Sequence, residues 1–146
     1  MNSTSHFVDF LWLIREWEYK NFPAGQGRIL FDILVLVNVY ESANKKLPVK
    51  ALQFSLPYSA RGISYATEKL ISDGWCELTV SQADRRLKYI SGTEKLAHIF
   101  HAYEVFFYSA LEKSHQNMNS KPLVSEEELK ALLCLNEDLK TDLMEN

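Results

Sequence analysis

Apolar residues recur at three- and four-residue intervals near both ends of the chain, which is the period of an amphipathic α-helix. In the first predicted helix the apolar stripe consists of Phe7, Phe10, Leu11, Ile14 and Trp17, and it is widened by Val8, Trp12 and Tyr19. A break follows at residues 21–25. The second predicted helix, roughly 26–42, is apolar almost all round, which is typical of the buried centre of a fold.

The last third of the chain also predicts two helices. The first carries an apolar stripe over four turns: Leu96, Ile99, Phe100, Tyr103, Phe106, Phe107, Ala110 and Leu111. Residues 117–122 are a polar break. Ser125 then begins a final helix, with Glu128 at the capping-box position. Its leucine stripe is suited to pairing with another helix: Leu129, Leu132, Leu133, Leu139 and Leu143.

The middle of the chain changes period twice. A short helix over 49–56 is stopped by Pro57, and Ser59 is suited to cap a second helix that ends at Asp73 and Gly74. Two helices joined by a tight turn form a helix-turn-helix. From residue 75 the apolar period is two, so we predict strands over 75–80 and 87–90 around a polar turn that contains Arg85 and Arg86. This hairpin would form a wing.

Charge divides along the same boundaries. Residues 1–44 carry a net charge of −2, residues 45–95 carry +4, and residues 96–146 carry −5. A basic middle between acidic flanks is expected when one segment meets an anion and the others meet protein or water.

Composition places the chain among ordinary globular proteins. It has 146 residues, 47% hydrophobic and 24% charged, and this length fits one domain spanning residues 1–146. Two cysteines give neither a disulfide framework nor zinc-ligand spacing. We see no signal peptide, and the most apolar stretch, 29–39, is broken by Asp32 and too short to cross a bilayer. We therefore expect a cytoplasmic protein without a membrane partner.

Residues 47–95 resemble the winged helix-turn-helix core of the MarR-type transcriptional regulators. The positions that fall into this family's register without a gap are Leu52, Leu56, Ser59, Ile63, Ala66, Leu70, Gly74, Asp84, Arg86 and Thr93. Gly92 stands where the family has Leu, Leu96 stands where it has Gly, and Pro48 and Gln53 are atypical of its first helix. The flanking helices, 1–44 and 96–146, match the helices through which such regulators dimerise.

The resemblance implies a mainly α fold with a small antiparallel β-wing, and a homodimer that binds a pseudo-palindromic operator in double-stranded DNA. Most such regulators repress transcription, and many release DNA on binding a small aromatic molecule. Residues 45–95 would then be the DNA-binding lobe. No cofactor is implied.

Helical geometry separates the two faces of the recognition helix. With Ile63 inward, Ala66, Thr67 and Leu70 lie close to it, whereas Arg61 and Tyr65 point away. Arg61 is best suited to read guanine, and arginines on a narrow wing can enter a minor groove. Asp84 would brace an arginine or the turn. The predicted DNA-binding residues are Ser59, Arg61, Ser64, Tyr65, Lys69, Arg85, Arg86 and Lys88.

Other interpretations are open. Glu94, His98 and His101 share a helix face and could hold a metal, although a solvated polar face is favoured. Cys76 is expected to be a small buried residue and not a redox switch. The aromatic first helix could line a ligand pocket, although core or dimer contact is favoured. We find no nucleophile–base pair, carboxylate dyad or phosphate-binding loop, so we do not expect an enzyme. An alternative function is a winged-helix module that docks a protein partner without binding DNA.

Overall fold

The computed structural model describes residues 3–117 together with Glu127 and Ala131. Its order is α1 (Ser3–Asn21), α2 (Ile29–Ser42), β1 (Leu47–Pro48), α3 (Val49–Ser55), α4 (Ala60–Ser72), β2 (Cys76–Val80), β3 (Lys88–Gly92) and α5 (Glu94–Asn117). Of the predicted final helix after Ser125, the structure describes only Glu127 and Ala131, both helical, and its leucine stripe lies outside the described residues.

The centre of the core is α2, as its all-round apolar sequence predicts. Leu30, Ile33, Leu34 and Val37 are completely buried. They pack in one cluster with the inner side chains of the helix-turn-helix and the sheet, among them Leu52, Ile63, Leu70, Ile90 and Leu96. Complete burial of one such side chain stabilises the fold by about 1.5–3 kcal/mol. The helix-turn-helix is therefore fixed to the rest of the molecule by its apolar side.

The second helix begins later than predicted. Its first residue is Ile29, whereas the apolar pattern suggested residue 26. Gly25, Gln26 and Gly27 all have positive φ angles, of 105°, 53° and 63°. A right-handed helix cannot include such residues, so they form the turn between α1 and α2.

The wing belongs to a three-stranded antiparallel sheet of order β1–β3–β2. Leu47 pairs with Ile90 and Pro48 with Tyr89, while Cys76 to Val80 pair with Gly92 to Lys88. The sequence predicted only the hairpin, because a strand of two residues, Leu47 and Pro48, is too short to show an alternating pattern. It also placed the return strand at 87–90, one residue early at its start, and the observed strand runs on to Gly92.

Aromatic side chains join α1 to α5 within one chain. The Trp17 ring stacks on Tyr103 and Phe106, with centroid distances of 5.1 and 5.3 Å, and Phe10 meets Phe107 edge-on at 5.7 Å. The Tyr103 hydroxyl donates to Glu18 Oε1 at 2.5 Å. Part of the aromatic stripe, for which the sequence favoured core or dimer contact, thus packs inside the chain.

Candidate nucleic-acid interface

The helix α4 begins and ends as its sequence predicts. Ser59 has extended backbone, and its hydroxyl accepts a hydrogen bond from the Gly62 amide at 3.1 Å, as an N-cap does. At the other end Gly74 adopts a φ of 76°, which ends the helix. Both predictions are confirmed.

The inner face of α4 is the one predicted. Ile63, Ala66 and Leu70 are at most 1% exposed, and Thr67 is 6% exposed. The Thr67 hydroxyl has no hydrogen-bond partner within the described residues. Because this face is held against α2, the opposite face must point to solvent.

That outer face carries polar and charged side chains at helical spacing. Arg61, Ser64, Tyr65 and Glu68 are all exposed, and they follow one another at three, one and three residues, which places them on one side of the helix. Arg61 lies in the first turn. A guanidinium, a hydroxyl and a phenol on one helix face can hydrogen-bond to base edges and phosphates in a major groove.

Two of the predicted contact residues have partners within the chain. Lys69 is half-buried, and its Nζ lies 3.0 Å from Asp73 Oδ2 in an i,i+4 ion pair. The Ser59 oxygen is occupied as a cap acceptor, which leaves its own O–H available to donate. Ser59 and Lys69 are therefore less free to meet DNA than Arg61 and Ser64.

The wing tip presents its cations to solvent. Arg85, Arg86 and Lys88 are exposed. Asp84 braces the turn, because its Oδ1 accepts from the Arg86 amide at 2.9 Å, and the Ser81 amide donates to the Leu87 carbonyl at 2.9 Å. No ion-pair partner for either arginine occurs in the part of the chain that the structure describes. The fixed turn thus carries two free guanidinium groups.

Lys46 is a cation beside the wing that we did not include among the predicted contacts. Its Nζ lies 5.4 Å from the centroid of the Tyr89 ring, a cation–π contact. The pairing of β1 with β3 brings Lys46 there. From the sequence, Lys46 was only one cation of a basic segment, because the strand β1 that places it beside the wing was not predicted.

The start of α5 is tied to the end of α4. Thr93 Oγ1 donates to the Gly74 carbonyl at 2.7 Å, and Lys95 Nζ donates to the Asp73 carbonyl at 3.1 Å. Lys95 also lies 4.1 Å from the Trp75 ring centroid. These contacts link the recognition helix to the long helix that follows the wing.

Two further predictions concern a possible metal site on α5 and the cysteine of β2. Glu94, His98 and His101 are exposed, and among the described residues no three His, Cys, Asp or Glu side chains are grouped as a metal would require. Cys76 is 2% exposed, as predicted, and burial together with the charge of Glu41 raises the pKa of its thiol to about 12.

A pocket of about 340 Å³ lies between the end of α1 and the start of α2. Aromatic rings and two guanidinium groups line it, including Tyr19, Phe22, Phe31, Arg15 and Arg28. The first helix therefore contributes to a pocket as well as to the core. Binding of a small aromatic molecule stays a prediction.

Two helices keep apolar side chains in contact with solvent. On α1 the exposed residues include Phe7, Val8, Leu11 and Trp12, and on α5 they include Val105, Tyr108 and Leu111. Trp12 is 63% exposed. Separately, no helix in the described part of the chain is long and apolar enough to cross a membrane.

Comparison with known proteins gives matches in structure only. No family model matches the sequence, and a search of the curated proteins finds no match. Solved structures align over nearly the whole chain. YusO from Bacillus subtilis has a TM-score of 0.61 at 14% identity, with 94% of this chain and 89% of that chain covered.

Two further similar structures contain DNA. A MarR mutant from E. coli complexed with operator DNA aligns with a TM-score of 0.56 at 15% identity, covering 93% of this chain and 89% of that one. FabT from Streptococcus pneumoniae in complex with DNA aligns at 0.57 and 19% identity, covering 97% and 92%. At these identities the matches show a shared fold.

Proposed function

We propose that this chain, which has the MarR-type winged-helix fold, is a sequence-specific DNA-binding transcriptional regulator. The observation that carries the proposal is the outer face of α4. Arg61, Ser64 and Tyr65 project from a capped helix whose other face is buried, and the wing beside it ends in two free arginines. The DNA complexes of MarR and FabT support this use of the fold.

We also propose that the chain acts as a homodimer on a pseudo-palindromic operator, as a single domain with its DNA-binding lobe at residues 45–95. The exposed apolar faces of α1 and α5 support dimerisation, since a face of that kind is seldom left in water. Two recognition helices related by a two-fold axis would enter successive major grooves, about one helical turn apart. Repression of transcription stays a prediction from the resemblance.

The test begins with selection of binding sites from a pool of random DNA duplexes by the full chain. We expect enrichment of a pseudo-palindromic sequence, here termed the selected duplex. Its affinity should exceed that for a scrambled duplex of the same composition and should fall steeply with salt, because counterions are released when phosphates are neutralised.

The alternative is a winged-helix module that docks a protein partner. The acidic outer thirds of the chain and the exposed Glu68 are compatible with it. Such a module would enrich no sequence from the pool and would bind no duplex with a steep salt dependence. That result would overturn the proposed function.

A further inference from the structure

A directional contact joins the turn before α4 to α2. Tyr58 directly precedes the cap residue Ser59, and its hydroxyl donates to Asp32 Oδ2 at 2.5 Å. The two residues are 26 positions apart in sequence. Because the acceptor is a carboxylate, this is a charge-assisted hydrogen bond, which is shorter and stronger than a neutral one.

Apolar contact also joins α2 to the first turn of α4. A Cβ added to Gly62 would lie 3.5 Å from Ile29 Cδ1, so the two first turns are packed together. Ile63 is buried in the same cluster. Apolar contact is non-directional and allows small rotations of a helix, whereas a hydrogen bond weakens steeply when its angle changes.

Asp32 is itself oriented from its other side. Arg28 Nε lies 3.9 Å from Asp32 Oδ1, one helical turn earlier, and the Arg28 guanidinium also lies 5.4 Å from the Phe31 ring centroid. The hydrogen bond to Asp32 raises the pKa of Tyr58. A tyrosine hydroxyl is already protonated at neutral pH, and the raised pKa keeps it a donor to higher pH.

We propose that Asp32 and Tyr58 are positioning residues that set the orientation of the first turn of α4, and hence of Arg61, relative to the core. The inference rests on the proposed function, since the orientation of Arg61 matters only if that side chain reads DNA. Asp32 and Tyr58 themselves need not touch DNA.

The experiment compares affinities for the selected and scrambled duplexes. Tyr58→Phe removes one hydroxyl and should lower the affinity for the selected duplex by about three- to tenfold, with less change on the scrambled duplex. Asp32→Ala should do the same, and the double variant should lose no more than either single one, because both remove one interaction. Asp32→Asn keeps an acceptor oxygen and should recover part of the affinity.

Amide hydrogen exchange supplies a readout that does not need DNA. The Ile63 amide donates to the Ser59 carbonyl at 2.9 Å, and its exchange should become faster in Tyr58→Phe while thermal unfolding shifts little. Ser42→Ala is the matched control, since it removes an exposed hydroxyl whose hydrogen bond stays within α2, to the Asn38 carbonyl at 2.8 Å, and both readouts should stay at their parent values.

The outcomes separate this inference from the proposed function. Equal losses on both duplexes together with a lower melting temperature would assign Tyr58 a merely structural role and overturn the inference. The inference would also be overturned if Tyr58→Phe left the ratio of the affinities for the selected and scrambled duplexes unchanged. If the parent chain selects no duplex, the proposed function is overturned. Unchanged exchange of the Ile63 amide in Tyr58→Phe would then also show that the hydrogen bond from Tyr58 to Asp32 does not position α4.

Discussion

Arg61 lies two residues after the cap Ser59, on the side of α4 opposite the buried Ile63. Base contacts concentrate at this end of a recognition helix, and a bidentate contact to guanine contributes about 1–3 kcal/mol of discrimination. Arg61→Ala should therefore weaken binding to the selected duplex by about five- to over a hundredfold. Titration of both duplexes measures this, and the scrambled duplex should lose much less.

Arg61→Lys is the matched control for that prediction. It keeps the positive charge but not the planar fork that binds guanine at two points. We expect it to restore most binding to the scrambled duplex and little of the discrimination. A similar loss on both duplexes in Arg61→Ala would show that Arg61 holds only phosphate, and thermal melting identifies a variant that has lost its fold.

The buried thiol of Cys76 should make the free energy of unfolding fall as the pH rises above 9. Its pKa rises from 9.0 to about 12 on folding, because the buried thiolate would be poorly solvated. A raised pKa gives a stabilising contribution that is complete below pH 9 and is lost as pH rises from 9 towards 12. Urea unfolding should show the parent losing about 1.4 kcal/mol per pH unit above pH 9 relative to Cys76→Ala. Parallel curves for the two chains would contradict this.

At the scale of the elements, the wing is a hairpin whose return strand β3 is also paired with a third strand, β1. This pairing holds β3 at Tyr89 and Ile90, and Asp84 fixes the turn, so changes to the exposed arginines of the tip should leave the fold intact. At the end of β3 away from the tip, the Gly92 amide donates a hydrogen bond to Glu41 Oε1 at 2.6 Å.

Arg86 belongs to that exposed tip. If it enters a minor groove, Arg86→Ala should weaken binding to selected and scrambled duplexes alike, because groove potential and phosphates attract cations whatever the sequence. The slope of log affinity against log salt should become shallower by about one unit. Lys113→Ala, on the exposed side of α5, is the control for loss of one cation. An unchanged slope in Arg86→Ala would mean that the arginine is simply solvated.

Gly92 occupies a place where a larger residue does not fit. An added Cβ would lie 2.7 Å from Leu96 Cδ2 and 3.2 Å from Glu41 Oε2. We expect Gly92→Ala to destabilise the fold by about 1–3 kcal/mol, the usual cost of overpacking. Urea unfolding measures the change, with Ser91→Ala as the neighbouring control. Equal stability of parent and Gly92→Ala would show that Leu96 moves aside freely.

For the whole molecule, we expect the proposed dimer to form through the exposed apolar sides of α1 and α5. Trp17 and Phe10 already pack on α5 within the chain, so the proposed contact with a second copy would use the outward-facing residues. Trp12 is the largest of them on α1.

A charge at Trp12 should prevent assembly. We expect the parent to be a dimer at micromolar concentration and Trp12→Arg to be a monomer, because a guanidinium would have to lose its water in the interface. Light scattering measures the mass. Phe54→Arg, at a side chain that is 86% exposed on α3, should leave the dimer intact. A monomeric parent that still binds the selected duplex would refute the dimer.

Local sequence signals account for most of the recognition helix. The cap Ser59, the glycine stop at Gly74 and the inward face of Ile63, Ala66 and Leu70 could all be predicted, because each depends on neighbours within one or two turns. The hairpin with its Asp84-braced turn was readable for the same reason. The predicted contact residues themselves await the DNA experiments.

Only the tertiary structure decided contacts between residues far apart in sequence. The short strand β1, the place of Lys46 beside Tyr89 and the bond from Tyr58 to Asp32 depend on how α2, the turn and the sheet pack together. The same packing decided which apolar side chains of α1 lie against α5 and which stay exposed to solvent. A periodic pattern shows that a face is apolar, but which surface covers it depends on where the other elements lie.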